Sequence, residues 1–370
     1  MKFASNRQVL EQNSDINTNV RLHSSERLRR MATFGLGAAM ALAMTPAFAA
    51  GELHIYNWGN YTSPEMISAF EKAYDVTVTI TDYDSGDAAL AKIRTGGHGF
   101  DVVVAGANFV PIFIGEGLLM ESRPDEMSNF SNVDPRWIDA TYDPGRHYSV
   151  PWNWGLTGVL VDNSVYSGDI DSMSLILDPP PELAGKIAVL PDMNDVMYAT
   201  IKYLGGEQCT DDREFLGTVR DKLVAAKKNW LAIDFGIIEK IAARDIAAGY
   251  FYNGAALIAR EANPDVRFGY PADGFAYYMD SAAILSDANN VENARLFLDF
   301  LMKPESAAML SNTNKTPNGI LGSEAFMDPE LLTAPEMSVP AKFADAGEFL
   351  RPCAPEVNEI YTQIWNEVLQ

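Results

Sequence analysis

The sequence predicts an α/β protein of two lobes, and three observations carry that prediction. Strand-like apolar runs alternate with helical periodicity along most of the chain, the pattern of βαβ units. One run, Phe100 to Ala105, is continuously apolar, as expected of a parallel strand covered on both faces. The chain has 370 residues, 47% of them apolar and 21% charged. That is enough for two cores at roughly 150 residues per domain, and it excludes a disordered or collagen-like chain.

The elements follow in order. Arg27, Arg29 and Arg30 precede an apolar run from Met31 to Met44, and Ala47-Phe48-Ala49 supplies a small-residue cleavage pattern. Residues 1–49 are therefore expected to be a signal peptide, with an apolar run too short to span a bilayer. The Arg29-Arg30 pair leaves Sec and twin-arginine export both open. Leu53 to Trp58 alternates as a strand. Ser63 and Pro64 then suit the N-cap and first position of a helix whose apolar face is Met66, Ile67, Phe70 and Tyr74. Val76 to Ile80 is a β-branched strand, Ala88 to Arg94 a short helix stopped by Gly96-Gly97, and Phe100 to Ala105 the buried strand. The glycine pairs here and at Gly115-Glu116-Gly117 read as helix C-caps. Residues 122–149, rich in Pro, Asp, Ser and Asn, read as a connection, and Trp152 and Trp154 are expected to flank a loop.

A second α/β stretch covers roughly 160–279. Its expected strands are Val159–Val161, Ile187–Leu190, Tyr250–Tyr252 and Val266–Phe268; its expected helices are Val196–Tyr203, Glu214–Lys228 and Ile237–Ala248. A strand from Tyr277 to Leu285, a helix from Val291 to Met302 with Leu296, Phe297 and Phe300 inward, a helix from Pro304 and a polar C-terminal segment complete the chain. Two lobes without a long linker imply a chain that crosses between them more than once.

The formal net charge is -22, from 28 basic and 50 acidic side chains, and -25 without residues 1–49. Such a surface repels phosphate backbones and argues against nucleic-acid binding. No nucleophile elbow, P-loop, dinucleotide fingerprint or zinc-binding helix motif occurs. The histidines, at 23, 54, 98 and 147, lack ligand spacing, so neither a metal nor another cofactor is expected. Cys209 and Cys353 are compatible with an oxidising compartment, and the sequence leaves their pairing open.

Aromatic residues and acids gather near expected strand ends, where open α/β sheets bind ligands. Tyr56, Trp58 and Tyr61 surround the first strand end; Tyr252 ends another; Tyr278 and Asp280, two apart on a strand, share a face; Asp192 and Asp195 precede a helix, where capping is their alternative role. Rings flanked by carboxylates suit an ammonium ligand with an aliphatic spacer. Cation–π contact contributes up to about 2 kcal/mol. An ammonium–carboxylate contact at about 4 Å contributes about 4 kcal/mol before desolvation, at an effective dielectric near 20. Each buried methylene adds about 0.8 kcal/mol.

Several segments together resemble the spermidine/putrescine-binding periplasmic proteins of bacterial ABC importers. They are His54-Ile55-Tyr56-Asn57-Trp58-x-x-Tyr61-x-x-Pro64, Phe100-Asp101-Val102-Val103-Val104, Tyr148 to Gly155, Tyr252-Asn253-Gly254, Met279-Asp280-Ser281, Phe300 to Pro304, and Thr316-Pro317-Asn318. The resemblance implies a type II, Venus-flytrap periplasmic binding fold: two α/β lobes joined by crossing hinge strands. Residues 50–156 with 280–326 would form lobe 1, and 157–279 with 327–370 lobe 2. It implies a periplasmic monomer that binds a polyamine, presents it to an inner-membrane ABC permease, and catalyses nothing. The implied ligand-binding residues are Trp58, Asn60, Tyr61, Asp192, Asp195, Tyr252, Tyr278 and Asp280. Against the family pattern, Asn60 replaces an acid, Tyr252 a tryptophan, Gly106 and Asn108 a serine and a tyrosine, and Leu350 a glutamine, which makes one end less acidic and the slot roomier. The competing readings are a protein of the same fold for another cationic or neutral solute, and a secreted carboxylate-dependent hydrolase.

Overall fold

The computed structural model describes residues 51–370; the expected signal peptide lies outside them. The first sheet region begins with β1 (Gly51–Trp58), α1 (Pro64–Tyr74), β2 (Val76–Tyr83), α2 (Gly86–Arg94), β3 (Val102–Gly106) and α3 (Val110–Gly115). Local chemistry sets these boundaries. The Ser63 hydroxyl accepts from the Met66 amide at 3.3 Å with Pro64 at the first position of α1. Gly96 and Gly97, both with left-handed φ, follow α2. Three single 3-10 turns occupy the connection that follows.

Next come β4 (Ser149–Asp162), α4 (Ser174–Leu177), β5 (Ile187–Val189), α5 (Met193–Tyr203), α6 (Arg213–Lys227), β6 (Trp230–Ile233), α7 (Ile237–Ala242), β7 (Ala248–Tyr252), α8 (Asn253–Ala262) and β8 (Val266–Gly269). The chain ends with β9 (Phe275–Ile284), α9 (Val291–Leu301), α10 (Pro304–Asn314), α11 (Pro329–Thr333), β10 (Gly347–Phe349) and α12 (Pro355–Leu369).

The strands run in the order β2-β1-β3-β9-β4-β7-β5-β6, with β10 beside β9 and β8 beside β4. β1 is parallel to β2 and β3, and β5 is parallel to β6 and β7. Between these two parallel sets lie β4 and β9, antiparallel to each other and to β7 and β3 on either side. Each set builds its own core. Leu53, Ile55, Val102–Val104, Trp152 and Ile284 belong to one; Leu160, Ile187–Val189, Tyr250, Phe275 and Trp365 belong to the other. The antiparallel pair passes from one core to the other, so the expected crossing strands are β4 and β9. The bulge between Pro151 and Trp154 falls on the first of them.

Four expectations change. Trp152 and Trp154 lie within β4 rather than beside a loop, Trp152 fully buried with its indole N–H donating to the Tyr61 carbonyl at 3.2 Å. The helix expected over 237–248 stops at Ala242, because Ala248 to Tyr252 are needed in the buried sheet. Leu296 faces outward, 39% exposed, while Phe297 and Phe300 pack inward. The C-terminal segment is the amphipathic helix α12, with Val357, Tyr361, Ile364, Trp365 and Val368 buried at i, i+4 and i+7 spacing. The cysteines are joined: Cys209 and Cys353, 144 residues apart, form a disulfide. Among the described residues no helix is long and apolar enough to cross a membrane.

Candidate functional site

The site lies where β1, β3, β7 and β9 and the start of α5 converge. Strand β9 carries Tyr278 and Asp280, and Asp280 is paired in register with Gly106 at the end of β3. The end of β1 brings Trp58 to the same place, and its indole N–H donates to Asp280 Oδ1 at 3.2 Å across 222 residues of sequence. Trp58 rests on Tyr83, with ring centroids 4.5 Å apart. Tyr61, just beyond β1, is pinned through its carbonyl by the Trp152 indole and by the Asn314 amide, each at 3.2 Å. Its hydroxyl is buried beside Asp280 and Tyr278.

Tyr252, at the end of β7, meets Tyr278 edge to face with centroids 5.3 Å apart. Gly155 on β4 makes this possible, since a β-carbon there would collide with the Tyr278 hydroxyl. Beyond Tyr252 lies the N-terminus of α5. Asp192 is its N-cap, accepting from the Asn194 and Asp195 amides at 2.8 and 3.2 Å, so the helix starts three residues before the expected Val196. Asp195, in the first turn, is 8% exposed, and its carboxylate accepts no hydrogen bond among the described residues.

The structure thus gathers Trp58, Tyr61, Tyr252, Tyr278, Asp280, Asp192 and Asp195. Asn60 stands apart. It is exposed at the tip of the turn after β1, with φ 57, a left-handed conformation that asparagine tolerates.

Among the described residues no cationic side chain pairs with these acids, and burial dominates their electrostatics. Burial pushes Asp280 up to about 6, a rise limited by the Tyr61 hydroxyl and the Trp58 indole. Burial, then the charge of Asp192, raises Asp195 well above the carboxylate range. Burial also raises Asp192, opposed by the Asp195 and Asn194 amides and reinforced by Asp87. Burial raises the Tyr252 and Tyr278 hydroxyls, with Asp195 and Asp280 among the added causes, so both rings stay neutral. No group of three or more metal-ligating side chains occurs among the described residues.

Beside this slot is a cavity of about 260 Å³ that the sequence reading did not anticipate. Asp87, Asn108 and Phe109 line it from the β1–β3 side, Met193 and Asn194 from α5, and Leu350 from the segment after β10. Asp87 could have been flagged by its place in the first turn of α2, just past the end of β2.

Relatives give the arrangement its context. The chain is 29% identical over 272 residues to the spermidine/putrescine-binding periplasmic protein of Escherichia coli, covering 72% of this chain and 78% of that protein. It is 27% identical over 356 residues to the putrescine-binding periplasmic protein of the same organism, covering 90% and 95%. The structure superposes on the TpPotD lipoprotein of Treponema pallidum with a TM-score of 0.77 at 25% identity, over 86% of this chain and 99% of that one. Residues 65–339 match a single family throughout, and by that match the chain belongs to the bacterial extracellular solute-binding proteins.

Proposed function

We propose that this chain is the periplasmic solute-binding component of an ABC importer and holds a polyamine in the slot between its two cores. One observation carries the reading: Asp280 and Asp195 are each 8% exposed, lie beside the Tyr252 and Tyr278 rings, and have no cationic side chain against them among the described residues. An isolated buried carboxylate costs several kcal/mol unless a cation or donors meet it. A molecule with ammonium groups at its ends and methylenes between supplies both the missing charges and the apolar surface for the Tyr252 and Tyr278 rings.

In this reading Trp58, Tyr61, Tyr252 and Tyr278 contact the methylene chain, Asp280 takes one ammonium, and Asp195 with Asp192 takes the other. Asn60 contributes at most from the rim. Residues 50–156 with 280–326 act as one lobe and 157–279 with 327–370 as the other, closing by bending β4 and β9. Closure requires that the ligand bind the closed form better than the open form. The closed lobes then dock an inner-membrane permease. The names of the E. coli relatives support the ligand class and the compartment.

Titration calorimetry of the mature chain with putrescine and spermidine, and with an anionic and a neutral solute as controls, tests this. Saturable 1:1 binding of an amine is expected; binding of a control solute with no heat from either amine overturns it.

A further inference from the structure

The bulge in β4 falls opposite the acid on β9. Pro151 pairs with Ser281 and Trp154 with Met279, so Trp152 and Asn153 both stand across from Asp280. A bulge of this kind re-aims side chains, and here it brings two of them to one end of the slot. Trp152 packs beside the Tyr61 ring, with centroids 6.5 Å apart. Asn153 lies two residues before Gly155, where a β-carbon would meet the Tyr278 hydroxyl. Strand alternation therefore puts Asn153 on the Tyr278 face. Trp154, between them, turns to the other face, and its indole N–H donates to the Asn318 carbonyl at 2.9 Å.

Asn153 is fully buried, yet its side chain is only half used. Its Nδ2 donates to the Thr316 hydroxyl. Thr316 in turn packs on Gly254, two residues past Tyr252, which ties Asn153 to the opposite wall of the slot. Its Oδ1 is buried and accepts no hydrogen bond among the described residues. Buried polar oxygens are nearly always met by a donor, so this one calls for a donor from outside the chain.

The ligand class supplies one. A primary ammonium carries three N–H donors in three directions. The Asp280 carboxylate, which already receives the Trp58 indole N–H, lies on one side of such a group and leaves N–H groups pointing elsewhere. A neutral carbonyl on the facing strand can take one of them. It does so without placing a second negative charge against Asp280, which would repel it in the ligand-free protein.

We propose that Asn153 is a further ligand-binding residue, its Oδ1 accepting a hydrogen bond from the ammonium that Asp280 holds. The inference rests on the polyamine reading of the slot and adds a neutral acceptor to its rings and acids. The β4 bulge is then part of the site, since without it Asn153 and Asp280 would not stand opposite each other.

Calorimetry with putrescine on the mature chain and two variants tests this, with thermal melting of each ligand-free protein to verify folding. Asn153→Leu keeps the side-chain size and removes the acceptor. Thr316→Val removes the same Asn153–Thr316 hydrogen bond and leaves Oδ1 in place. Asn153→Leu should weaken putrescine binding roughly tenfold or more, the loss of a hydrogen bond to a charged group. Thr316→Val should weaken it less than about threefold. If the leucine variant is not folded, Asn153→Ala, which cannot clash, gives the same comparison. An acceptor-free variant that binds putrescine as tightly as the unmodified protein, or more tightly, overturns the inference. So does an equal loss in the Asn153 and Thr316 variants, which would make the effect one of packing. Those results leave the slot assignment standing, whereas an unmodified protein that binds no amine overturns the slot and this contact together.

Discussion

Asp280 and Asp195 are equally hidden from solvent, yet the two ends of the slot hold their acids differently. Asp280 sits in mid-strand on β9 with a tryptophan N–H on one oxygen and a tyrosine hydroxyl beside it. Asp195 sits in the first turn of α5 with no hydrogen bond to its carboxylate among the described residues; the Asn194 and Asp195 amides at that helix start go to Asp192. The contrast teaches that burial alone does not rank acids as cation sites. Asp280 lies near 6 and is ionised at neutral pH, ready for an ammonium. Asp195, raised further by its neighbour's charge, must give up its proton more reluctantly when the ligand arrives. Asp192 starts the helix through its Oδ1, which accepts from both amides.

The largest expected effect tests that ranking directly. Asp280→Asn should weaken amine binding roughly 10- to 150-fold, corresponding to about 1.5–3 kcal/mol for a hydrogen bond to a charged group. Asp195→Asn should cost less at pH 7 and more as the pH rises, because more of the native Asp195 is then ionised. Calorimetry at two pH values decides between this and the reverse order, which would break the comparison.

The pH dependence of stability follows from the same shift. The folded Asp280 value of about 6 lies above its ordinary 3.8, so the stability that it contributes is fully present below pH 3.8 and is lost as pH rises through about 6. The difference corresponds to roughly 3 kcal/mol. Denaturant unfolding of the ligand-free protein should show stability falling between pH 4 and 6.5. Asp280→Asn should flatten that fall, and saturating amine should oppose it. A native curve already flat over this window would remove Asp280 as an unpaired buried acid.

The disulfide distinguishes the two ends structurally. Cys209 and Cys353 line the cavity near α5, far along the chain from the Asp280 strand. Gln208 adds to the clamp, donating to Glu348 at 2.8 Å and accepting from the Arg351 amide at 3.1 Å. Replacing both cysteines by serine should cost about 2–4 kcal/mol of stability. Denaturant unfolding of the double-serine variant checks that loss, and an unchanged unfolding free energy would remove the clamp as a stabilising feature. The smallest change is Trp58→Phe. It removes one donor from Asp280, raises that carboxyl further, and should lower affinity several-fold, for about 1 kcal/mol; a pH titration of binding would show the shift.

Much of the fold was legible because it is written in local chemistry. Ser63 with Pro64, the Gly96-Gly97 stop and the apolar run of β3 each state their role within a few residues. The misses came where neighbours distant in sequence decide. Trp152 and Trp154 look like loop residues beside Pro151, but the bulge absorbs the proline and the second strand of the crossing pair completes the sheet. Ala248 continues a helical pattern, yet it pairs with Ile187 and Val161 in the core. The aromatic and acidic residues of the slot were marked by strand ends and by family resemblance.

The sequence by itself determined the alternation of strands and helices, the helix caps and the strongly acidic balance, since propensity, periodicity and charge act over a turn or a strand. Only the tertiary structure decided that Trp58 meets Asp280, that Cys209 joins Cys353, and that Asp195 is buried without a partner among the described residues. Those outcomes depend on which chain segments cross, and on how far burial removes water from a charge, and neither quantity exists until the two cores have formed.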